Sequence, residues 1–254
     1  MNEPNLDRVS IAQIVLALIL VGATAYLGWR LLPDPEPSAD QVNRAVVNEL
    51  RDHPSVMIVD QHSDFEVEEM TDDGLHPNAE GSQQMALVWA DALARSGRRP
   101  TDGETVSIMP LGDSITAWAY RDRLAALLVL DGWNFDMVGS ISGGATTDGG
   151  PGQDNIDLDH EGHTGWSTLN ILEGHPDEPD AGRLDEWIDG ADPDVVLLHI
   201  GTNDLFRTED GAKPIANRVR QIVDDIVEDR PDRLVLVAEI IPFESGLIDI
   251  YIEE

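Results

Sequence analysis

Three stretches of the chain bring chemically useful side chains close together. Asp73 and His76 lie three positions apart in Asp73-Gly74-Leu75-His76-Pro77-Asn78. Gly74 and Pro77 favour a turn there, and a turn can bring the carboxylate within reach of the imidazole. A histidine that takes a proton from a hydroxyl nucleophile needs such a group to fix its tautomer. Ser114 follows Gly112-Asp113 at the end of an apolar run, where glycine relaxes the turn and the hydroxyl can face a cleft. Asn203, in Gly201-Thr202-Asn203-Asp204, follows a second apolar run, and its amide is a neutral donor suited to a developing oxyanion. His160-Glu161-Gly162-His163-Thr164-Gly165-Trp166 adds a glycine at which a backbone N–H can approach the same oxyanion. If these stretches meet, they supply a nucleophile, an acid–base pair and oxyanion donors.

Each residue also has a plainer use. Ser114 can cap a helix after an ordinary strand-to-helix turn, and Asn203 can cap a helix from Leu205 onward. Asp73 and His76 can sit on a surface turn. His160 and His163 are weak candidates for a metal, since no third ligand accompanies them. Asp148, Asp154, Asp157 and Asp159 are close enough in sequence for Ca²⁺ but match no calcium-loop spacing.

The surrounding pattern predicts the elements that must hold these groups. A helix is expected from Ala39 to Asp52, with Val42, Ala45, Val46 and Leu50 on one face. A buried strand follows from Ser55 to Asp60, and a helix from Ala79 to Arg95. Ser96 to Glu104 reads as a loop. Then come a strand from Val106 to Leu111, a helix from Tyr120 to Leu130, a strand from Phe135 to Gly139 and a glycine-rich loop from Gly143 to Gly152. A short helix from Ala181 to Gly190, a strand from Val195 to Ile200, a helix from Ile215 to Glu228 and a strand from Leu234 to Ile240 complete the series. Apolar strands alternating with helices predict an α/β fold, a parallel sheet covered on both faces.

Composition narrows the partners. Among 254 residues, 49 acidic side chains face 16 basic ones, giving a net charge of −33. Such a field repels nucleic acid and anionic lipid surfaces. Hydrophobic residues still make up 41% of the chain, enough to build a core, and a carboxylate-rich surface of this kind suits a saline environment. With no cysteine, disulfides, thiol catalysis and cysteine–zinc sites are excluded. Ile11 to Trp29 is uncharged and would span roughly 28 Å as a helix, close to a bilayer core. It is expected to anchor the chain in a membrane. A cleaved signal segment ending near Ala23-Thr24-Ala25 is the alternative. Pro33-Asp34-Pro35-Glu36-Pro37 would be a stiff spacer between it and the remainder.

Four blocks together carry a family resemblance. Ile-Met-Pro-Leu-Gly-Asp-Ser-Ile-Thr ending at Thr116, Phe-Asp-Met-Val-Gly-Ser ending at Ser140, Asp-His-Glu-Gly-His-Thr-Gly-Trp ending at Trp166, and Val-Val-Leu-Leu-His-Ile-Gly-Thr-Asn-Asp ending at Asp204 resemble the SGNH (GDSL-type) hydrolases. The wording is similar to the carbohydrate esterase family three branch, which includes acetyl xylan esterases. The resemblance spans roughly residues 38 to 254 and implies a three-layer, flavodoxin-like fold with five parallel strands. It implies Ser114 as nucleophile, His76 as base and Asp73 as its partner. The Ser114 and Gly165 backbone N–H groups and the Asn203 side chain would form the oxyanion hole. No cofactor is implied. The substrate would be a short-acyl ester of a small molecule or polysaccharide, and a membrane-tethered or secreted location would suit it. A binding protein that keeps the fold without turnover is the alternative.

The chain departs from that family in order. There the Asp-x-x-His block closes the domain, whereas here it precedes the serine block, and the sequence stops at Tyr251-Ile252-Glu253-Glu254. Residues 39–95 would then be the displaced C-terminal part, 96–104 a joining loop and 105–254 the N-terminal part. This implies a circular permutation; part of one domain followed by most of another is the alternative. The charge sets a first expectation: the melting temperature should rise as NaCl goes from dilute to molar, because salt screens carboxylate repulsion. A flat or falling curve would contradict it.

Overall fold

A computed structural model describes residues 37–143, 158–208, 210–244 and 247. The expected anchor Ile11 to Trp29, most of the spacer, most of the loop Gly143 to Gly152 and Asp148, Asp154 and Asp157 lie outside the described residues. Among the described residues no helix is long and apolar enough to cross a membrane.

Helix α1 (Ala39–Leu50) starts at a capping box. The Ser38 hydroxyl accepts from the Gln41 N–H, and the Gln41 side chain accepts in return from the Ser38 N–H. Its apolar face buries Val42, Val46 and Leu50. Strand β1 (Val56–Val59) is followed by the single turn α2 (Val67–Met70) and then α3 (Ala79–Arg95). Next come β2 (Val106–Gly112), α4 (Ser114–Trp118), α5 (Arg121–Leu130), β3 (Phe135–Met137) and the two-residue β4 (Glu161–Gly162). The series closes with α6 (Thr168–Glu173), α7 (Leu184–Ala191), β5 (Val195–His199), α8 (Asp204–Arg207), α9 (Ala212–Val227) and β6 (Leu234–Ala238).

Among the described residues all strand pairs are parallel, in the order β1-β6-β5-β2-β3, with β4 joining β2 beyond the end of β3. Counted from β2, with β1 placed last, this is the 2-1-3-4-5 order of flavodoxin-like sheets. The earliest strand in the chain thus pairs with the last, Val56 opposite Val235 and Val59 opposite Ala238. Each face of the sheet has its own core. One holds α1, α6, α7 and α9 residues such as Leu50, Ile171, Trp187 and Ile222; the other holds α3 and α5 residues such as Met85, Trp89 and Leu124. The sheet strands β2, β5 and β6 send alternate side chains to the two sides, Val196 and Leu198 to the first and Val195 and Leu197 to the second.

The expected long elements are present, the helix from Ala79 to Arg95 with both ends as expected and the others with ends shifted by at most three residues. Single turns α2, α4 and α8, the helix α6 and the pair of residues in β4 were not expected. They are too short for a hydrophobic period to register, and four of them lie beside the loops at the carboxyl ends of the strands.

Gly112 marks the tightest approach. A Cβ there would collide with the His199 carbonyl and the Thr116 hydroxyl. Gly112→Ala should therefore lower the melting temperature by on the order of 10 °C. Gly190→Ala, in α7 with open space around it, should be neutral or stabilising by up to about 1 kcal/mol. Calorimetry on both variants checks this, and equal melting temperatures would contradict the packing at β2.

Candidate active site

The site is assembled from segments that follow four parallel strands, β1, β2, β4 and β5. That is where open α/β sheets bind ligands, because their connecting loops converge there.

The β2 segment ends in Gly112-Asp113-Ser114. The Asp113 side chain accepts from the Ile115 N–H at 3.0 Å and caps α4. The cap is thus Asp113 and not Ser114, which frees the serine side chain. Ser114 is the first residue of α4, and its hydroxyl lies 3.0 Å from Nε2 of His76.

The His76 loop lies after β1 and α2 and is held by its own carboxylate. Asp73 Oδ1 accepts from the Leu75 N–H at 2.9 Å and the His76 N–H at 2.7 Å. Its Oδ2 meets His76 Nδ1 at 2.7 Å. One oxygen therefore shapes the turn and the other orients the ring. Burial acts to raise the Asp73 carboxyl, but the bonds from His76 and Leu75 outweigh it and hold the group below its usual value. The turn is closed by a bridge between Thr71 and Pro77 and backed by the Glu244 N–H, which donates to the Gly74 carbonyl at 2.8 Å. Gly74 has φ +80°, a conformation glycine adopts without strain. Asn78 then caps α3 through the Glu80 and Gly81 N–H groups. An imidazole donating Nδ1–H to Asp73 presents the Nε2 lone pair to the Ser114 hydroxyl.

Asn203 lies in the turn after β5. Its side chain makes no cap for α8. Instead its Nδ2 donates to the Trp166 carbonyl at 3.0 Å and approaches Asp113 Oδ2 at 3.4 Å. It therefore joins the residue after Gly165 to the residue before Ser114. Among the described residues, neither the Ser114 N–H nor the Gly165 N–H has an acceptor. All three expected oxyanion donors thus lie in adjoining segments. The Asp204 carboxylate ties the β5 segment to α6 and α9: it accepts from Thr168 N–H at 2.8 Å, from the Thr168 hydroxyl, and from Arg218 at 2.9 Å.

The histidines of the β4 stretch have structural partners. The Gly162 N–H donates to His160 Nδ1 at 2.8 Å, and His163 Nε2 meets Glu161 Oε2 at 3.0 Å. His163 also lies between Trp166 and Trp187, with ring centroids 4.3 and 4.5 Å away. Burial lowers His160 to about 3, with the charge of Arg121 adding to the effect, so it is neutral across the ordinary pH range. Asp159, the one described member of the proposed calcium set, is also engaged.

Two contacts were not anticipated from sequence. Trp118 packs on His76, with ring centroids 5.0 Å apart. It is four residues after Ser114, so a helical turn at α4 would have revealed the shared face. Arg207 covers Gly165: its Nη2 would lie 3.0 Å from a Cβ placed there. His76, Asp73 and Trp118 line an open cleft of about 670 Å³. A second cleft between α6, α7 and α9 is lined by Asp192, Arg230 and Arg233, and the Asp192 carboxylate pairs with both arginines.

The GDSL-like Lipase/Acylhydrolase family profile matches residues 111–249, more than half of the chain, and the chain belongs to that family. It is 31% identical over 167 residues to a "Multidomain esterase" of Ruminococcus flavefaciens, covering 59% of this chain and 21% of that protein. The chain thus spans about a fifth of that relative's length. Among solved structures it is similar to a Clostridium thermocellum family 3 carbohydrate esterase (32% identity, 58% of this chain and 67% of that one, TM-score 0.45). It is also similar to an acetyl esterase mutant with acetate ion (27% identity, 58% and 67%, TM-score 0.48).

Asp113 provides a pH test. Burial pushes its carboxyl up to about 7; the Ile115 N–H opposes the rise and the Asp204 charge adds to it. A carboxyl that binds its proton more tightly when folded contributes stability that is full below about pH 4. That contribution is lost as pH rises through about 7. Asp113→Asn keeps the cap but cannot ionise. Its melting temperature should fall less than that of the wild type between about pH 4 and about pH 8. Parallel curves would contradict a protonated Asp113.

Proposed function

We propose that the protein is a serine esterase acting on short-acyl, chiefly acetyl, esters of carbohydrates. The observation that carries this is the continuous chain Asp73–His76–Ser114, with bonds of 2.7 and 3.0 Å, beside the Ser114 and Gly165 N–H groups, which have no acceptor among the described residues. Ser114 Oγ attacks the ester carbonyl carbon while its proton passes to His76 Nε2. The carbonyl oxygen becomes an oxyanion held by those two N–H groups and by Asn203, whose Nδ2 exchanges its long 3.4 Å contact with Asp113 Oδ2 for the oxyanion. The bond to the alcohol oxygen breaks, and His76 returns its proton to that oxygen. Water then attacks the acyl-serine by the same path, releasing the acid and restoring Ser114. Asp73 stays ionised and steadies the imidazolium, in keeping with its lowered pKa.

The order of the parts supports a circular permutation. The family match begins at Leu111, after Asp73 and His76, yet β1 occupies the edge beyond β6 and delivers both residues to Ser114. The uncharged run Ile11–Trp29 supports export or attachment to a membrane, with the catalytic residues outside the cell, and the charge of −33 supports a saline source.

Two substitutions test the mechanism. Ser114→Ala should lose roughly 10³-fold or more of ester turnover, because triad members act as a unit. Asn203→Ala should cost on the order of 10²-fold in kcat with little change in KM. Folded Ser114→Ala that keeps a tenth of the activity, or an Asn203→Ala effect confined to KM, would contradict the assignment. A short p-nitrophenyl ester serves as substrate.

A further inference from the structure

Trp118 is the exception among the described tryptophans. Trp89, Trp133, Trp166 and Trp187 are at most 6% exposed, whereas Trp118 is 44% exposed. Exposing an indole forgoes the burial that normally stabilises so large an apolar group. Its position is fixed on two sides. Ser114 and Trp118 begin and end the same short helix, so the indole stands one turn from the serine. Its ring lies tilted at 43° against the His76 imidazole.

The direction of the reaction says which half of a substrate meets it. This rests on the serine-esterase reading above. His76 must hand its proton to the departing alcohol oxygen, so the alcohol lies on the imidazole side of Ser114. Two of the three oxyanion donors, Gly165 and Asn203, belong to segments after β4 and β5, and the third, the Ser114 N–H, opens the helix that Trp118 closes. Trp118 touches His76, so it faces the alcohol and not the acyl group. The rim of the cleft is polar and acidic: Asp72, Asp73, Asn78 and Glu80 line it with His76 and Trp118. A flat apolar plate with acceptors around it suits a ring that has a C–H face and peripheral hydroxyls. The carboxylates disfavour an anionic alcohol, and a hydrocarbon chain would cover the exposed Asp72 and Glu80 carboxylates while offering them no donor.

We infer that Trp118 is the platform on which an uncharged pyranose ring, the alcohol half of the ester, stacks for deacetylation. Trp118 thereby selects the alcohol, while Asp73 and the turn around it orient His76. The platform is rigid, because an indole with few rotatable bonds on a short capped helix loses little freedom when a sugar docks.

The test compares alcohols. Trp118→Ala and Trp118→Phe are assayed on methyl acetate, decyl acetate and an acetylated xylo-oligosaccharide. In Trp118→Ala, the ratio of kcat/KM for the oligosaccharide to that for methyl acetate should fall at least about tenfold. Trp118→Phe should restore part of it. Binding of the intact oligosaccharide to the Ser114→Ala variant, followed by calorimetry, should weaken by a similar factor when Trp118→Ala is added. Equal losses on all three esters would reduce Trp118 to a support for His76 and overturn the platform. A larger loss on decyl acetate than on the sugar would overturn the sugar assignment in favour of an apolar chain. Unchanged binding in the double variant would also overturn it. Absence of turnover by the wild type on every ester would instead refute the esterase reading, and calorimetry separates that failure from a failure of the platform.

Discussion

The site depends on one hydrogen bond, from the Ser114 hydroxyl to His76, between side chains delivered by different strands. It forms only if β1 pairs with β6 and β2 with β5, since these set where the two loops emerge. Within the β1 loop the demand is met locally: Asp73 spends one oxygen on backbone and one on the ring. Within the β2 loop it is met by Asp113, whose capping of α4 leaves the serine side chain uncommitted. The parallel sheet thus acts as a jig, and the short turns at its carboxyl end convert strand register into hydrogen-bond geometry.

Burial constrains the same region. A chain with a charge of −33 places its few buried cations where carbonyls or carboxylates converge. Arg121 donates to the Thr116, Ala117 and Leu158 carbonyls, bracing α4 from beneath. Arg218 satisfies Asp204 and Asp210 together, which locks the Asn203 turn to α9. Removing one partner of such a set would strand a buried charge, so these residues support the site without facing it. Arg207, by contrast, has no carboxylate partner among the described residues and remains over Gly165.

The sequence carried the sheet, because each of its main strands is an uninterrupted apolar run and each long helix has a clear face. It also singled out Ser114, His76, Asp73 and Asn203 as candidates, which the structure brings into adjoining segments, because a nucleophile, base and donor must be particular residue types at strand ends. The Asp113 cap was legible in principle, since Asp before a helix is a common signal, but α4 is a single turn with no period to find. Trp118 was hidden for the same reason. Arg207 over Gly165 and Glu244 behind Gly74 are contacts between distant segments, and no local pattern encodes them. The β1–β6 pairing was legible only through the order of blocks: an edge strand can be moved from one end of a chain to the other because few connections cross it.

The most direct measurement is covalent trapping of the nucleophile. A phosphonate that mimics the tetrahedral intermediate is incubated with the full chain, and the modified peptide is located by mass spectrometry. The account predicts one phosphonyl group per chain, on Ser114, suppressed by competing acetyl ester and nearly abolished in His76→Ala. Modification at another residue, or labelling of Ser114 that proceeds equally fast without His76, would contradict it.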